Sequence, residues 1–142
     1  MMTIEQILYE RLIADGAVVD IVEDRVYPLH ATQGEEVPYI VIQRNDSFRQ
    51  HYMIGTTGLV TASATLRLLD TNHERLQDLG EAVRLALDSW RGEAGDSTVS
   101  RIWIDGDDEN YTPPGDGGDH GVYYRDQLWF VVYSETATAL PS

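Results

Sequence analysis

The chain has 142 residues, of which 42% are hydrophobic, and its 24 acidic and 10 basic residues give a formal net charge of −14. A chain of this length most simply forms one globular domain, and its core needs no disulfide or metal. Every basic residue is Arg and Cys is absent, which excludes disulfides, thiolate metal sites and a Cys nucleophile. The acidic excess repels phosphate backbones and therefore disfavours a dedicated nucleic-acid binder.

The apolar segments are too short for a membrane span. The longest continuous apolar run is Leu128–Tyr133, whereas a helix needs about 20 apolar residues to cross a bilayer. The N-terminal stretch is acidic and amphipathic, unlike a signal peptide. The sequence therefore predicts a soluble protein without a membrane partner.

In chain order, the first predicted element is a helix. Thr3 and Gln6 form a capping box, residues 4, 7, 8 and 12 form one apolar face, and Gly16 stands where a C-terminal cap belongs. The apolar stretch at 17–22 is compatible with a further helical turn. A short strand follows around Pro28, whose missing N–H indicates a sheet edge or a bulge.

Two strands and the strongest helix occupy the middle of the chain. The β-branched run Tyr39–Arg44 predicts a strand covered on both faces, and the clean alternation over Leu59–Asp70 predicts a strand with one buried face. From Asn72 to Arg91, apolar residues recur every three or four positions, which predicts a long amphipathic helix. Two further strands are predicted at Thr98–Ile104 and Val122–Tyr133.

The resulting order is α-β-β-β-α-β-β, and it predicts an α+β fold. Because consecutive strands are joined directly, we expect an antiparallel or mixed sheet of about five strands, with two main helices packed on one face. We expect a single domain over 1–142, with extended loops at about 45–58 and 105–121 and a short C-terminal tail at about 135–142.

The acidic segment before the last strand has the spacing of a cation-binding loop. Asp105, Asp107, Glu109 and Asp116 match four positions of a calcium-loop template. The template also requires Gly where Asn110 stands, and helices on both sides where strands are predicted. We therefore favour a solvated acidic loop over a metal site.

Motifs for catalysis and for cofactor binding are weak. The four His are scattered without ligand spacing, no nucleophile elbow is present, and no Lys follows the glycines of the acidic loop. The sequence predicts neither an enzyme nor a cofactor. The alternative from another class is a carboxylate-dependent metal enzyme acting through Asp107, Glu109 and Asp119.

The connection at 45–58 is longer than the ~2–5 residues typical of a hairpin loop. It carries large apolar and aromatic side chains beside arginines, which is the composition of an interface centre. The alternative is that this loop folds back on its own domain. The candidate interface residues are Arg44, Phe48, Arg49, Tyr52, Met53 and Ile54.

Three blocks in this order resemble the tail-completion proteins of long-tailed bacteriophages, which are also called tail-terminator or head–tail joining proteins. The blocks are "DRVYPLHATQGEEVPYIVIQR", "RLLDTNHERLQDLGEAVRLALDSWRG" and "GVYYRDQLWFVVYSE". The resemblance covers nearly the whole chain. It is weakest at the acidic connection and at the C-terminal tail.

The resemblance implies a structural virion protein at the tail–neck junction, assembled in the host cytoplasm. A hexameric ring of such subunits caps the tail tube, stops its growth and joins the tail to the neck proteins of the head. Gene transfer agents use similar proteins. The alternatives are another neck or head–tail connector of similar fold, and a small monomeric binding module.

The acidic charge has a possible use in such a ring. Six copies carry 6 × −14 = −84 formal charges, and an acidic channel lets DNA pass without specific binding. We expect the acidic loop to face either this channel or a neighbouring subunit. Its residues are Asp107, Asp108, Glu109, Asp116 and Asp119.

Overall fold

The computed structural model describes residues 4–28, 37–50, 57–94, 97–113 and 121–136, with the backbone alone described at 46–50, 57–59, 94, 97 and 135–136. Within these ranges the chain forms three helices and six strands. They are α1 (Ile4–Ile13), α2 (Gly16–Val22), β1 (Val26–Pro28), β2 (Tyr39–Gln50), β3 (Thr57–Asp70), α3 (His73–Leu87), β4 (Gly92–Ala94), β5 (Ser97–Thr112) and β6 (Val122–Thr136).

Polar side chains fix where two of the helices begin. The Asp15 carboxylate accepts a hydrogen bond from the Val18 N–H before α2. The Asn72 side chain accepts one from the Arg75 N–H before α3. Each satisfies a backbone N–H that has no partner inside the first helical turn. The Asp15 cap separates α1 from α2, so the stretch at 17–22 belongs to a second helix.

The six strands form one curled mixed sheet in the order β1-β2-β3-β6-β5-β4. β1 runs parallel to β2, and every other neighbouring pair is antiparallel. The predicted α+β class is confirmed. The sheet is the mixed form of the expected arrangement, because β1 pairs parallel with β2. The strand count is corrected from about five to six, and α2 is added to the two main helices, which gives the chain order α-α-β-β-β-α-β-β-β. β4 and α2 are too short to show a periodic pattern.

In the described residues, strands extend from both sides into the two connections predicted as extended loops. β2 continues to Gln50 and β3 begins at Thr57, while β5 continues to Thr112 and pairs with β6 as far as Val122. Backbone hydrogen bonding, which depends little on the side chain, extends the strands through these polar residues. β6 likewise runs to Thr136, into the predicted C-terminal tail.

The three helices pack on one face of the sheet and close the core there. β3 contributes a row of five buried side chains, as its alternation predicts, and the fully buried Trp129 of β6 lies in the same core. On the opposite face, Leu128, Phe130 and Val132 remain partly exposed. The β3 residues in the core are Val60, Ala62, Ala64, Leu66 and Leu68.

Candidate assembly surfaces

The β2–β3 hairpin carries the first predicted interface. Arg44 has a side chain that is 52% exposed, and its guanidinium lies 3.3 Å from the Glu5 carboxylate of α1. A register shift follows at once, between Arg44 and Ser47, and Phe48 then pairs with Thr61 across the hairpin. The bulge twists the outer half of the hairpin relative to the sheet.

Most side chains of this predicted interface lie outside the described part of the structure. For Phe48 and Arg49 only the backbone is described, as part of β2. Tyr52, Met53 and Ile54 fall outside the described residues altogether. Their contact with another subunit therefore stays a prediction.

The second predicted site is the acidic half of β5, residues 105–112, which we call the acidic arm. Its carboxylates alternate between the two faces of the sheet, as side chains do along any strand. Asp107 and Glu109 lie on the helical side, where they meet partners, and Asp108 lies on the opposite side next to Asp126 in the pairing register. Asp116 and Asp119 lie outside the described residues.

On the helical side, a polar network joins the acidic arm to α3. Arg125 of β6 donates from Nε and Nη2 to the Asp107 carboxylate at 2.7 and 2.5 Å, and from Nη1 to the Gln77 side chain at 3.1 Å. Gln77 in turn donates to Glu109 at 2.7 Å, and His73 Nε2 lies 2.6 Å from the same carboxylate. The arm is thus tied to the helix by a network of five side chains.

Electrostatics keep this network charged. The hydrogen bonds that Arg125 donates to Asp107 raise the pKa of Arg125 above its ordinary value, partial burial opposes the rise, and the charges of Asp107, Glu109 and Glu81 add to it. Arg125 is therefore a permanent cation, and Asp107 is neutralised by an ion pair instead of being left to hold a metal ion.

The arrangement does not build a metal centre. Within the described ranges, no three His, Asp or Glu side chains come together as a group that could hold an ion. Asp107 and Glu109 share the helical side, but Asp107 is bonded by Arg125 and Glu109 by Gln77 and His73, while alternation places Asp108 on the opposite face. Asp105, at the register shift between Ile104 and Gly106, is exposed. Asp105, Asp107 and Glu109 match the calcium-loop spacing because they occupy every second position of a strand.

A third surface was not predicted from the sequence. On the partly exposed face of the sheet, the Arg101 guanidinium lies 4.5 Å from the Trp103 ring centre, and Trp103 stacks on Phe130 with centroids 5.3 Å apart and 11° between the planes. A pocket of about 360 Å³ adjoins this stack and is lined also by Ser89, Arg91, Ser100 and Ile102. The sequence signal was the two-residue spacing of Arg101 and Trp103, which places both on one face.

No described helix is both long and apolar enough to cross a membrane. Fold and surfaces together define the class: an α+β protein with two long hairpins, an aromatic and charged sheet face, and an acidic strand tied down by ion pairs.

The family is shown by its sequence profile. The profile of the family described as "Tail completion protein gp17" matches residues 6–125, and the chain belongs to this family. It is therefore a structural component of a phage-type virion tail. The predicted resemblance is confirmed.

Two further comparisons were made. A sequence search of curated proteins finds no match. Among solved structures, a chain from the "Virion of native gene transfer agent (GTA) particle" is similar with a TM-score of 0.67 and 12% sequence identity, over 93% of this chain and 95% of that chain. At this identity the likeness shows a shared fold.

Proposed function

We propose that this chain is a tail-terminator subunit: six copies form a ring on the last ring of the tail tube, stop its growth and join the tail to the neck. The observation that carries the proposal is the match to the tail-completion family over residues 6–125. The fold shared with a chain of a gene transfer agent virion supports it. The proposed partners are further copies of the chain, the tail tube protein and the head–tail connector proteins.

The role needs no catalysis and no cofactor, only surfaces of the right shape and charge. We propose that the whole chain acts as a single domain, assembled in the host cytoplasm. DNA passes through the ring without specific binding, because a net charge of −14 in each subunit repels its phosphates.

The two hairpins are the proposed contact elements. We assign the tip of the β2–β3 hairpin, with Phe48, Tyr52 and Met53, to contacts with a neighbouring subunit or with the tail tube. Aromatic residues and Met are the types enriched at interface centres. The acidic arm is assigned to a neighbouring subunit or to the channel wall.

Electron microscopy of tail tubes that were assembled with this chain tests the proposal. We expect one ring of six subunits at one end of each tube, built on the terminal ring of the tube protein. Binding along the tube wall instead, or no binding at all, would contradict the assignment.

A further inference from the structure

The charges around the pocket beside the partly exposed sheet face indicate a contact that one copy of the chain cannot complete. Six arginines of the described residues form ion pairs with carboxylates. Arg91 and Arg101 are exposed and form none within the same ranges, although the chain has 24 acidic residues and 10 basic ones. In such an acidic protein, two exposed cations that no carboxylate of the described residues pairs with mark a surface that attracts an anion.

Arg101 is held in position by its stack. Its guanidinium lies over Trp103, which rests on Phe130. A guanidinium that stacks on a ring keeps its N–H groups free at the edge, where a carboxylate can accept two of them. Arg91 and Ser89 line the adjoining pocket together with Arg101 and Trp103. We call Arg91, Arg101, Trp103 and Phe130 the arginine–aromatic surface.

Matching carboxylates lie further along the same strand. Asp105 and Asp108 are exposed and form no ion pair in the part of the chain that the structure describes. In the β5–β6 register, Arg101 pairs with Val132 and Asp108 with Asp126, so Arg101 and Asp108 stand six β6 positions apart, which is about 20 Å. This separation exceeds the reach of these two side chains, so a second copy is needed to bring Asp108 to Arg101.

We propose that the acidic arm of one subunit, through Asp105 and Asp108, binds the arginine–aromatic surface of the next subunit. This inference rests on the proposed ring and names the contact between its members. The two surfaces differ, so the contact is head-to-tail, and repetition of a head-to-tail contact closes into a ring when the rotation fits. Trp and Arg at the centre are the residue types that dominate interface energies.

Charge exchange in the full-length chain tests the contact. The first variant is R91E/R101E, and the second is D105R/D108R. The matched control for the second is E74R/D78R, which makes the same charge change at two exposed residues of α3. Mass photometry with and without the tail tube protein gives the assembly state, and circular dichroism reports whether each variant is folded. If R91E/R101E does not fold, R91Q/R101Q replaces it in the measurement of the assembly concentration only, since a neutral surface cannot attract the arginines of D105R/D108R in the mixing experiment.

We expect each exchange variant to need at least about a tenfold higher concentration for half-assembly, while E74R/D78R assembles as the wild type does. An equimolar mixture of R91E/R101E and D105R/D108R regains the ring, because every joint in an alternating ring then faces opposite charges. The regained mass is that of six subunits, 6 × 16.0 = 96 kDa.

Two results would overturn the contact while leaving the ring in place: both exchange variants assemble at the wild-type concentration, or the mixture of folded variants fails to regain the ring. Loss of binding to a DNA duplex in R91E/R101E, with assembly unchanged, would also overturn it and assign the arginines to phosphates. A wild-type chain that stays monomeric even with the tube protein would instead contradict the proposed ring.

Discussion

Asp70, at the end of β3, is a fully buried carboxylate that organises the start of α3. It accepts two hydrogen bonds from the Arg75 guanidinium, both at 2.6 Å, and one from the Asn72 N–H at 3.0 Å. The hydrogen bond to Asp70 raises the pKa of Arg75, which stays charged. The carboxylate is thus buried only because its charge is compensated.

We expect Arg75→Met to lower the free energy of unfolding by about 2–3 kcal/mol, since it leaves Asp70 buried without its cation. The Arg75 side chain is itself 43% exposed, which places the loss at or below the lower end of the ~3–5 kcal/mol seen for fully buried pairs. Urea denaturation measures it.

Arg84→Met, in the same helix, is the control. Arg84 pairs with the exposed Glu81, and exposed pairs contribute little because water screens them. We expect a loss much smaller than that of Arg75→Met. Equal losses in the two variants would show that burial of the Asp70 carboxylate does not require the charge of Arg75.

Gln127 is the second residue with a buried polar role. It is fully buried in β6, donates to the Gly80 carbonyl of α3 at 3.2 Å, and accepts from the Trp129 indole N–H at 3.1 Å. Gln127→Leu leaves the indole N–H buried without that acceptor, so we expect a loss of about 1–3 kcal/mol in unfolding free energy.

The matched control is Gln43→Leu, at an exposed position of β2, for which thermal and chemical denaturation should give a change within about 0.5 kcal/mol. If Gln127→Leu were as neutral as this control, the bridge between sheet and helix would have no energetic role.

Neither buried polar residue is evident from the sequence. The pattern around Asp70 predicts a strand end, and the capping signal before α3 is visible, but burial of the carboxylate follows from tertiary packing. In the sequence, Gln127 looks like an ordinary polar surface residue of the last strand. Its partner Gly80 is 47 positions away, so no local pattern indicates the pair.

At the scale of elements, the helix α3 holds the acidic arm through Arg125. The guanidinium crosses the helix at Gly80, where a Cβ would lie 2.7 Å from the Arg125 Cζ. A side chain at Gly80 therefore displaces Arg125 and breaks its bonds to Asp107 and Gln77. The absence of a Cβ at this position permits the close approach.

A double-mutant cycle tests this contact. In an Arg125→Ala background, Gly80→Ala should stabilise the protein by up to about 1 kcal/mol, because Ala favours the helix interior over Gly. In the wild type, displacement of Arg125 offsets this gain, and we expect a coupling of about 1–2 kcal/mol from chemical denaturation. If Gly80→Ala changed the unfolding free energy equally in both backgrounds, the coupling energy would be zero, and the contact between Gly80 and Arg125 would not contribute to stability.

The outer parts of the long strands could not be predicted from sequence patterns. Asp, Asn and Gly are rare in strands, so residues 105–112 were predicted as loop. Their pairing with β6, the bond between Asp107 and Arg125 and the contact between the Tyr111 and Tyr123 rings, 4.6 Å apart, outweigh those preferences. The apolar periodicity of β3 and α3 is sufficient to predict these two elements, because it shows directly which side chains are buried.

At the scale of the whole molecule, the sequence predicted the α+β class, the helical cover on one face and the family. The parallel pairing of β1 with β2 and the position of β6 between β3 and β5 follow from long-range packing, which local patterns do not carry. For the proposed interfaces, the composition of the β2–β3 connection indicates its candidate residues. The arginine–aromatic surface is not visible in the sequence, because it forms only when the sheet places Phe130 of β6 beside Trp103 of β5.

The central claim is that this chain stops growth of the tail tube, and the length distribution of tubes tests it most directly. Purified tube protein polymerises in the presence of increasing amounts of the chain, and electron microscopy measures the tubes. We predict progressively shorter tubes that stop growing once the growing end of each tube carries a ring, with E74R/D78R as active as the wild type. Tube lengths that do not change at a six-fold excess of the chain over tube ends would contradict the claim.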